Sequence, residues 1–177
     1  MLAGGEEIRA RRAVIAGVMP KALVSSLLSD GTGNASFDAS ARKFRHGPGT
    51  MMVHLAMSDL PDWTAGEELK QFLYIHLAPD LDMMGRAYSS ALAGDLPAEP
   101  VIVVGQQSGI DPTRAPDGQH TLWVQVRALP AEILGDAAGT IQERDWKAAA
   151  EPYADRVIDI IERYAPGTKA KILGRYV

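Results

Sequence analysis

Hydrophobic and polar positions alternate in three stretches of the chain. In residues 50–57, Met51, Val53, Leu55 and Met57 fall on one side and Thr50, Met52, His54 and Ala56 on the other. Residues 72–78 repeat the arrangement, with Leu73, Ile75 and Leu77 opposed to Phe72, Tyr74, His76 and Ala78. Residues 120–129 show it most clearly, setting Leu122, Val124, Val126 and Ala128 against Thr121, Trp123, Gln125 and Arg127. A period of two sends successive side chains to opposite faces, so each stretch predicts a strand with one aliphatic face and one polar or aromatic face. Val101-Ile102-Val103-Val104 is apolar throughout and predicts a buried strand.

Helical spacing governs other stretches. Over residues 80–93, Leu81, Met84, Tyr88, Ala91 and Leu92 recur on one stripe, with Asp80 placed to cap the helix and Gly94 to stop it. A longer stripe comprises Trp146, Ala149, Ala150, Tyr153, Val157, Ile160, Ile161 and Tyr164, with Asp159 and Arg163 set to pair across a turn. Pro152 interrupts it, which leaves one helix, or two with the second starting at Pro152, as the alternatives. Nearer the start, the apolar run from Arg12 to Val18 predicts a buried strand feeding a helix with Pro20 in its first turn. Ala22, Leu23, Leu27 and Leu28 would form that helix's stripe, and the turn-forming residues 29–34 would end it. Strands joined both by hairpin-like loops and by helices predict an α+β fold: a mostly antiparallel (mixed) sheet of four to five strands with helices packed on one face.

Composition narrows the function classes. Hydrophobic residues make up 46% and charged residues 23% of the 177, the balance of an ordinary folded domain, so a single domain over residues 1–177 is expected. The net charge is −4 and the Lys and Arg residues are scattered, which argues against a nucleic-acid partner. With no cysteine, a disulfide framework, a thiolate zinc site and a cysteine nucleophile are excluded. The start of the chain is charged where a signal peptide is apolar, and no apolar stretch matches a bilayer's thickness, so no membrane span and a cytoplasmic location are expected.

The polar strand faces carry the candidate chemistry. His54, His76, Trp123, Gln125 and Arg127 all lie opposite the aliphatic positions, and neighbouring strands would bring them onto one surface. An antiparallel sheet also commonly wets one face, so the pattern alone leaves a solvated face and a ligand surface open. A metal site on His54 and His76 lacks third and fourth ligands, and no metal is expected. His46 and His120 adjoin Gly-containing loops and read as hydrogen-bonding turn residues. Ser108 sits in only half of a G-x-S-x-G elbow, which removes a serine hydrolase. Met51, Met52, Met83 and Met84 read as core filler ahead of a greasy channel.

Three stretches resemble the phytoene desaturase-like (phytoene dehydrogenase-related) flavoproteins of amine-oxidase fold. They are Arg11-Arg12-Ala13-Val14-Ile15-Ala16-Gly17-Val18-Met19-Pro20; Phe44-Arg45-His46-Gly47-Pro48-Gly49-Thr50 with Pro61-Asp62-Trp63; and the run from Pro100 to Trp123. The last contains Val104-Gly105-Gln106, Asp111-Pro112-Thr113-Arg114-Ala115-Pro116 and Gly118-Gln119-His120, and Ile161-Glu162-Arg163-Tyr164-Ala165-Pro166-Gly167 follows it in order.

The resemblance implies a FAD-dependent oxidoreductase whose substrate-side domain this chain represents, with residues 1–20 as a remnant of the connection from a flavin domain. It implies that the polar face above roofs a substrate cavity next to the flavin, with the catalytic residues unassigned. The chain departs from the family in having no G-x-G-x-x-G, because Met1-Leu2-Ala3-Gly4-Gly5 precedes charged residues where a strand-to-helix turn is required. The expectation is therefore that FAD belongs to the complete protein and is not bound by this chain alone, that the fragment is inactive by itself, and that its partner is the missing FAD-binding domain or another chain. A rival expectation is a stand-alone binding or oligomerisation module that self-associates through apolar surface.

Overall fold

The computed structural model describes residues 5, 7–28 and 30–177. Met1 to Gly4, Glu6 and Ser29 lie outside the described residues, and with them part of the Met1–Gly5 start and of the turn expected at residues 29–34. The expectation of one domain over 1–177 meets a chain that divides into two compact units, Met1–His46 and Gly47–Val177.

In the first unit, helix α1 (Pro20–Ala22) begins with Pro20 at its first position and runs into a wider turn, Leu23–Leu27, in which the Leu28 N–H donates to the Leu23 carbonyl at 2.9 Å. Helix α2 (Ala35–Arg42) follows, with the Asn34 side chain accepting the Phe37 N–H at 3.1 Å. The buried strand expected at Arg12–Val18 is not formed: Val14 is 82% and Ile15 95% exposed. A strand buries its side chains and satisfies its amides only beside a partner strand, and among the described residues none pairs with this segment. The expected stripe is corrected too, because Val24 is the buried residue while Leu27 and Leu28 are exposed.

The second unit follows the alternation. Strands β1 (Gly49–Met57), β2 (Tyr74–Leu77), β4 (Val101–Gly105), β5 (His120–Leu129) and β7 (Ile172–Tyr176) form one antiparallel sheet in the order β2-β4-β5-β1-β7. The short strands β3 (Asp95–Leu96) and β6 (Gly135–Asp136) make a separate parallel pair. This is the α+β, five-stranded antiparallel arrangement anticipated from the pattern. Helix α5 (Trp146–Tyr164) lies across the aliphatic face, where Met57, Val53, Val124, Ile102 and Leu122 meet its fully buried Ala149, Tyr153, Val157 and Ile161. A bulge at the Gly49/Thr50 end of the β1–β5 ladder coincides with Ala128 at φ 58°, a left-handed backbone on a non-glycine residue.

Helix α5 is continuous through Pro152. Proline has no N–H for the carbonyl of Ala148, but apolar contacts on both sides, at Ala149 and Tyr153, hold the two halves in one line. The expected pairing of Asp159 with Arg163 is replaced by longer-range pairs, Arg163 with Glu99 at 2.7 Å and Asp159 with Lys169.

Helix α3 (Leu81–Ala93) has the Asp80 cap, accepting the Met83 N–H at 2.6 Å, and the left-handed Gly94 expected of it. Its buried stripe is Met83, Ala87 and Ala91, rotated from the expected one; Leu81 is 82% and Leu92 75% exposed. The small Ala87 and Ala91 allow the backbone to approach closely, and Met83 and Ala87 pack with Val101 at one end of the sheet's other face.

The β3–β6 pair is pinned to α5 by a buried ion pair. Arg156 Nη1 and Nη2 donate to Asp136 Oδ1 and Oδ2 at 2.7 and 2.6 Å, with side chains 12% and 1% exposed. Burial pushes the Asp136 carboxyl up, but the Arg156 bonds and the Ile141 and Thr140 amides outweigh this and hold it far below the ordinary carboxylate range. No helix of the described residues is long and apolar enough to cross a membrane.

Candidate functional site

Directly opposed residues in antiparallel strands share a face. Reading across the ladder, one row of the outer face is Tyr176, His54, Trp123, Gly105 and Tyr74, running from β7 to β2. The next row is Met52, Gln125, Val103 and His76, and Thr50, Arg127 and Val101 follow. All five side chains singled out from the sequence, His54, His76, Trp123, Gln125 and Arg127, thus occupy the face opposite α5.

They do not form one cluster. Three strand spacings separate His54 from His76, roughly 14 Å at the usual interval, so the two imidazoles cannot share a metal ion. Among the described residues no group of three or more His, Cys, Asp or Glu side chains is arranged to hold one. His76 instead borders a separate pocket of about 200 Å³ with Trp63, Ile75, Pro79 and Tyr164. Arg127 turns its Nε to Gln125 Oε1 at 2.8 Å, which holds both side chains along their own strand.

His54 and Trp123 do come together, in a cleft of about 370 Å³ that Gln107, Arg114 and Thr121 complete. Trp123 forms its floor. Tyr74 leans against it across the sheet, ring centroids 6.0 Å apart at 58°, and the residue between them is Gly105. A Cβ at Gly105 would stand 2.6 Å from Gln107 Nε2 and 3.2 Å from Trp123 Cε3, so only glycine lets the indole and the amide sit this close.

Two of the sequence stretches quoted above meet beneath the cleft. Gln106 is fully buried; its Oε1 accepts the Trp63 Nε1–H at 2.8 Å, and its Nε2 donates to the Leu69 and Phe72 carbonyls at 2.9 and 3.0 Å. One amide therefore ties the Pro61-Asp62-Trp63 loop and the turn of residues 67–71 to the end of β4. Outside this tie, Lys171 and Lys70 hold the exposed Asp62 carboxyl down to about 2. Lys171 clamps the same loop to the start of β7, and Lys70 ties it to the turn of residues 67–71.

Helix α4 (Gln107–Ile110) and the turn Pro112–Arg114 form the upper wall. Ser108 Oγ accepts the Thr121 N–H at 3.0 Å and lies 3.1 Å from His120 Nδ1. The serine thereby fastens α4 onto β5, whose first residue is His120. Asp111 accepts the Thr113 N–H and hydroxyl at 3.2 and 2.6 Å and the Arg114 Nε–H at 3.2 Å. These donors, Thr113 foremost, hold its carboxyl below the ordinary value.

Gln107 and Arg114 were not singled out as site residues, because α4 and the Pro112–Arg114 turn are too short to show periodicity. The available signal was their position inside the stretch running into Trp123. Strand β7, with Gly174 in its middle, also escaped the pattern, and with it Tyr176 at the edge of the same row.

A bound FAD would need helix-start N–H groups open to its pyrophosphate. At α3 and α5 those groups face carboxylates, Asp80 and Asp145, and at α2 they face Asn34. The starts of these three longer helices do not fit a dinucleotide phosphate.

No family model matches the chain. It is 27% identical, over 99% of its length, to the pyridine nucleotide-disulfide oxidoreductase domain-containing protein 2 of Rattus norvegicus, and covers 30% of that protein. The Mus musculus protein of the same name is 34% identical over 57% of the chain, with 16% of its own length covered. Phytoene desaturase (neurosporene-forming) of Cereibacter sphaeroides is 33% identical over 46% of the chain, with 14% of its own length covered. The chain thus spans less than a third of each of these relatives, and the similarities support descent in common with oxidoreductases.

Proposed function

We propose that this chain, residues 1–177, is the substrate-side portion of a FAD-dependent oxidoreductase of the phytoene desaturase-like kind, acting on a carbon–carbon bond of an apolar or amphipathic substrate. The outer sheet face is its substrate surface, and residues 1–20 are the passage from a flavin-binding part that other residues or another chain supply. The observation that carries this reading is the cleft on that face. Trp123 and His54 share it with the Asp111–Arg114 loop, which lies in the stretch most like the family. In such an enzyme the flavin performs the redox chemistry and the sheet supplies position and environment.

Translation of the genomic DNA on both sides of the reading frame tests this. A strand–turn–helix carrying G-x-G-x-x-G, in frame or in an adjacent gene, is expected; flanks encoding nothing of the kind would sink the proposal.

A second reading has one observation in its favour. Leu81, Tyr88 and Leu92 are exposed along a single stripe of α3, the pattern of a helix that docks against something. On this reading the chain is a binding or self-associating module. Sedimentation of the purified chain decides it, since a strict monomer at high concentration is incompatible with self-association.

A further inference from the structure

We infer that the cleft between Trp123 and Arg114 recognises a carboxylate, so that the substrate of the proposed enzyme is an amphipathic acid and not a plain hydrocarbon. The inference rests on reading the outer face as the substrate surface.

The geometry that supports it is a half-exposed cation, oriented by a neighbouring carboxylate, beside an aromatic surface. Arg114 reaches Asp111 through Nε, and Asp111 is itself tied down by Thr113. That arrangement orients the guanidinium while its outer edge stays open: among the described residues neither Nη group has an acceptor. The Nη edge is the one that meets a carboxylate with two parallel N–H···O bonds. Asp111 does not compete for it, because both Asp111 oxygens are occupied by Thr113 and by Nε.

The remaining walls match the same ligand. The Gln107 side-chain amide and the Thr121 hydroxyl also line the cleft and have no protein partner among the described residues, so further donors face the space beside Arg114. Beside them, the Trp123 and Tyr74 rings stand 6.0 Å apart and tilted at 58° on either side of Gly105, an aromatic surface for a hydrocarbon tail. A headgroup at Arg114 and a tail along Trp123 would use both halves. A pure hydrocarbon would offer the guanidinium, the amide and the hydroxyl no acceptor. Arg127, the other cation on this face, is two rows away and turned toward Gln125.

The test is a titration of the purified chain with decanoate and, separately, with decanol, followed by NMR at the Trp123 indole N–H, whose signal is assigned with Trp123→Phe. Decanoate should bind at least about fivefold more tightly than decanol, a preference of the size expected for a partly exposed ion pair. Arg114→Gln should erase that preference and leave decanol binding in place, and Arg127→Gln should leave the preference unchanged. Equal binding of the two ligands to the natural chain, or loss of preference in Arg127→Gln instead, would overturn the carboxylate inference while leaving the substrate surface standing. If neither ligand shifts the Trp123 signal, the surface reading and the inference fall together.

Discussion

Replacing Arg156 by methionine probes the buried pair that fastens the β3–β6 strands to α5. The substitution keeps most of the aliphatic stem and removes the guanidinium, leaving Asp136, 1% exposed, without the two bonds of 2.7 and 2.6 Å. Breaking one side of a buried ion pair costs about 3–5 kcal/mol, because the surviving charge stays desolvated. For a chain of this length each kcal/mol shifts the melting midpoint by about 2–4 °C, so a loss of roughly 6–20 °C is expected.

Urea unfolding followed by tryptophan fluorescence reads the effect in the second unit, which holds Trp63, Trp123 and Trp146. The pH dependence gives an independent check. The folded Asp136 carboxyl lies below its unfolded value, so its contribution is present above the ordinary carboxylate range and is lost as pH falls through the folded value. In Arg156→Met, protonation relieves the stranded charge, so the gap between variant and natural chain should narrow from pH 7 toward pH 4. A loss below about 1 kcal/mol at pH 7, the range of surface pairs, would refute the reasoning, as would a gap that does not change with pH.

Three further substitutions address the frame of the cleft and its helix. Gln106→Leu leaves the Trp63 indole N–H and the Phe72 carbonyl unpaired, while the Leu69 carbonyl keeps the Phe72 N–H, and should destabilise by about 2–6 kcal/mol in urea unfolding, given about 1–3 kcal/mol for each stranded group. Gly105→Val should push the Trp123 ring out of contact with Tyr74, seen as a shift of the Trp123 indole signal with little change in far-UV circular dichroism. Pro152→Ala restores an N–H to the α5 ladder and should raise stability by about 1–3 kcal/mol, net of the entropy that proline removes from the unfolded chain. A fall in the melting midpoint would mean that the proline ring packs better than its backbone defect costs.

The sheet was legible because its strands are long enough to alternate. Residues 120–129 coincide with β5, and the faces read from period two are those the ladder displays. Helix α3 was legible at its ends, where Asp80 and Gly94 act through local backbone chemistry, but not in its orientation. Leucines marked a stripe in the sequence, whereas the packed stripe uses alanines, whose value lies in close approach and not in hydrophobicity.

The run at Arg12–Val18 failed for a related reason: apolar residues make a strand only where another strand waits for them. The cleft was half legible. His54 and Trp123 followed from alternation, while Arg114 and Gln107 come from short turns whose position depends on long-range ties, Ser108 to β5 and Gln106 to Trp63.

The central claim, that this chain works beside a flavin, is met most directly by isolating the protein from its source with an antibody against residues 47–177 and measuring the flavin released on denaturation. The account predicts FAD in about one-to-one ratio with the antigen, carried on the same polypeptide or on a chain that copurifies. Antigen recovered in quantity without FAD would contradict it.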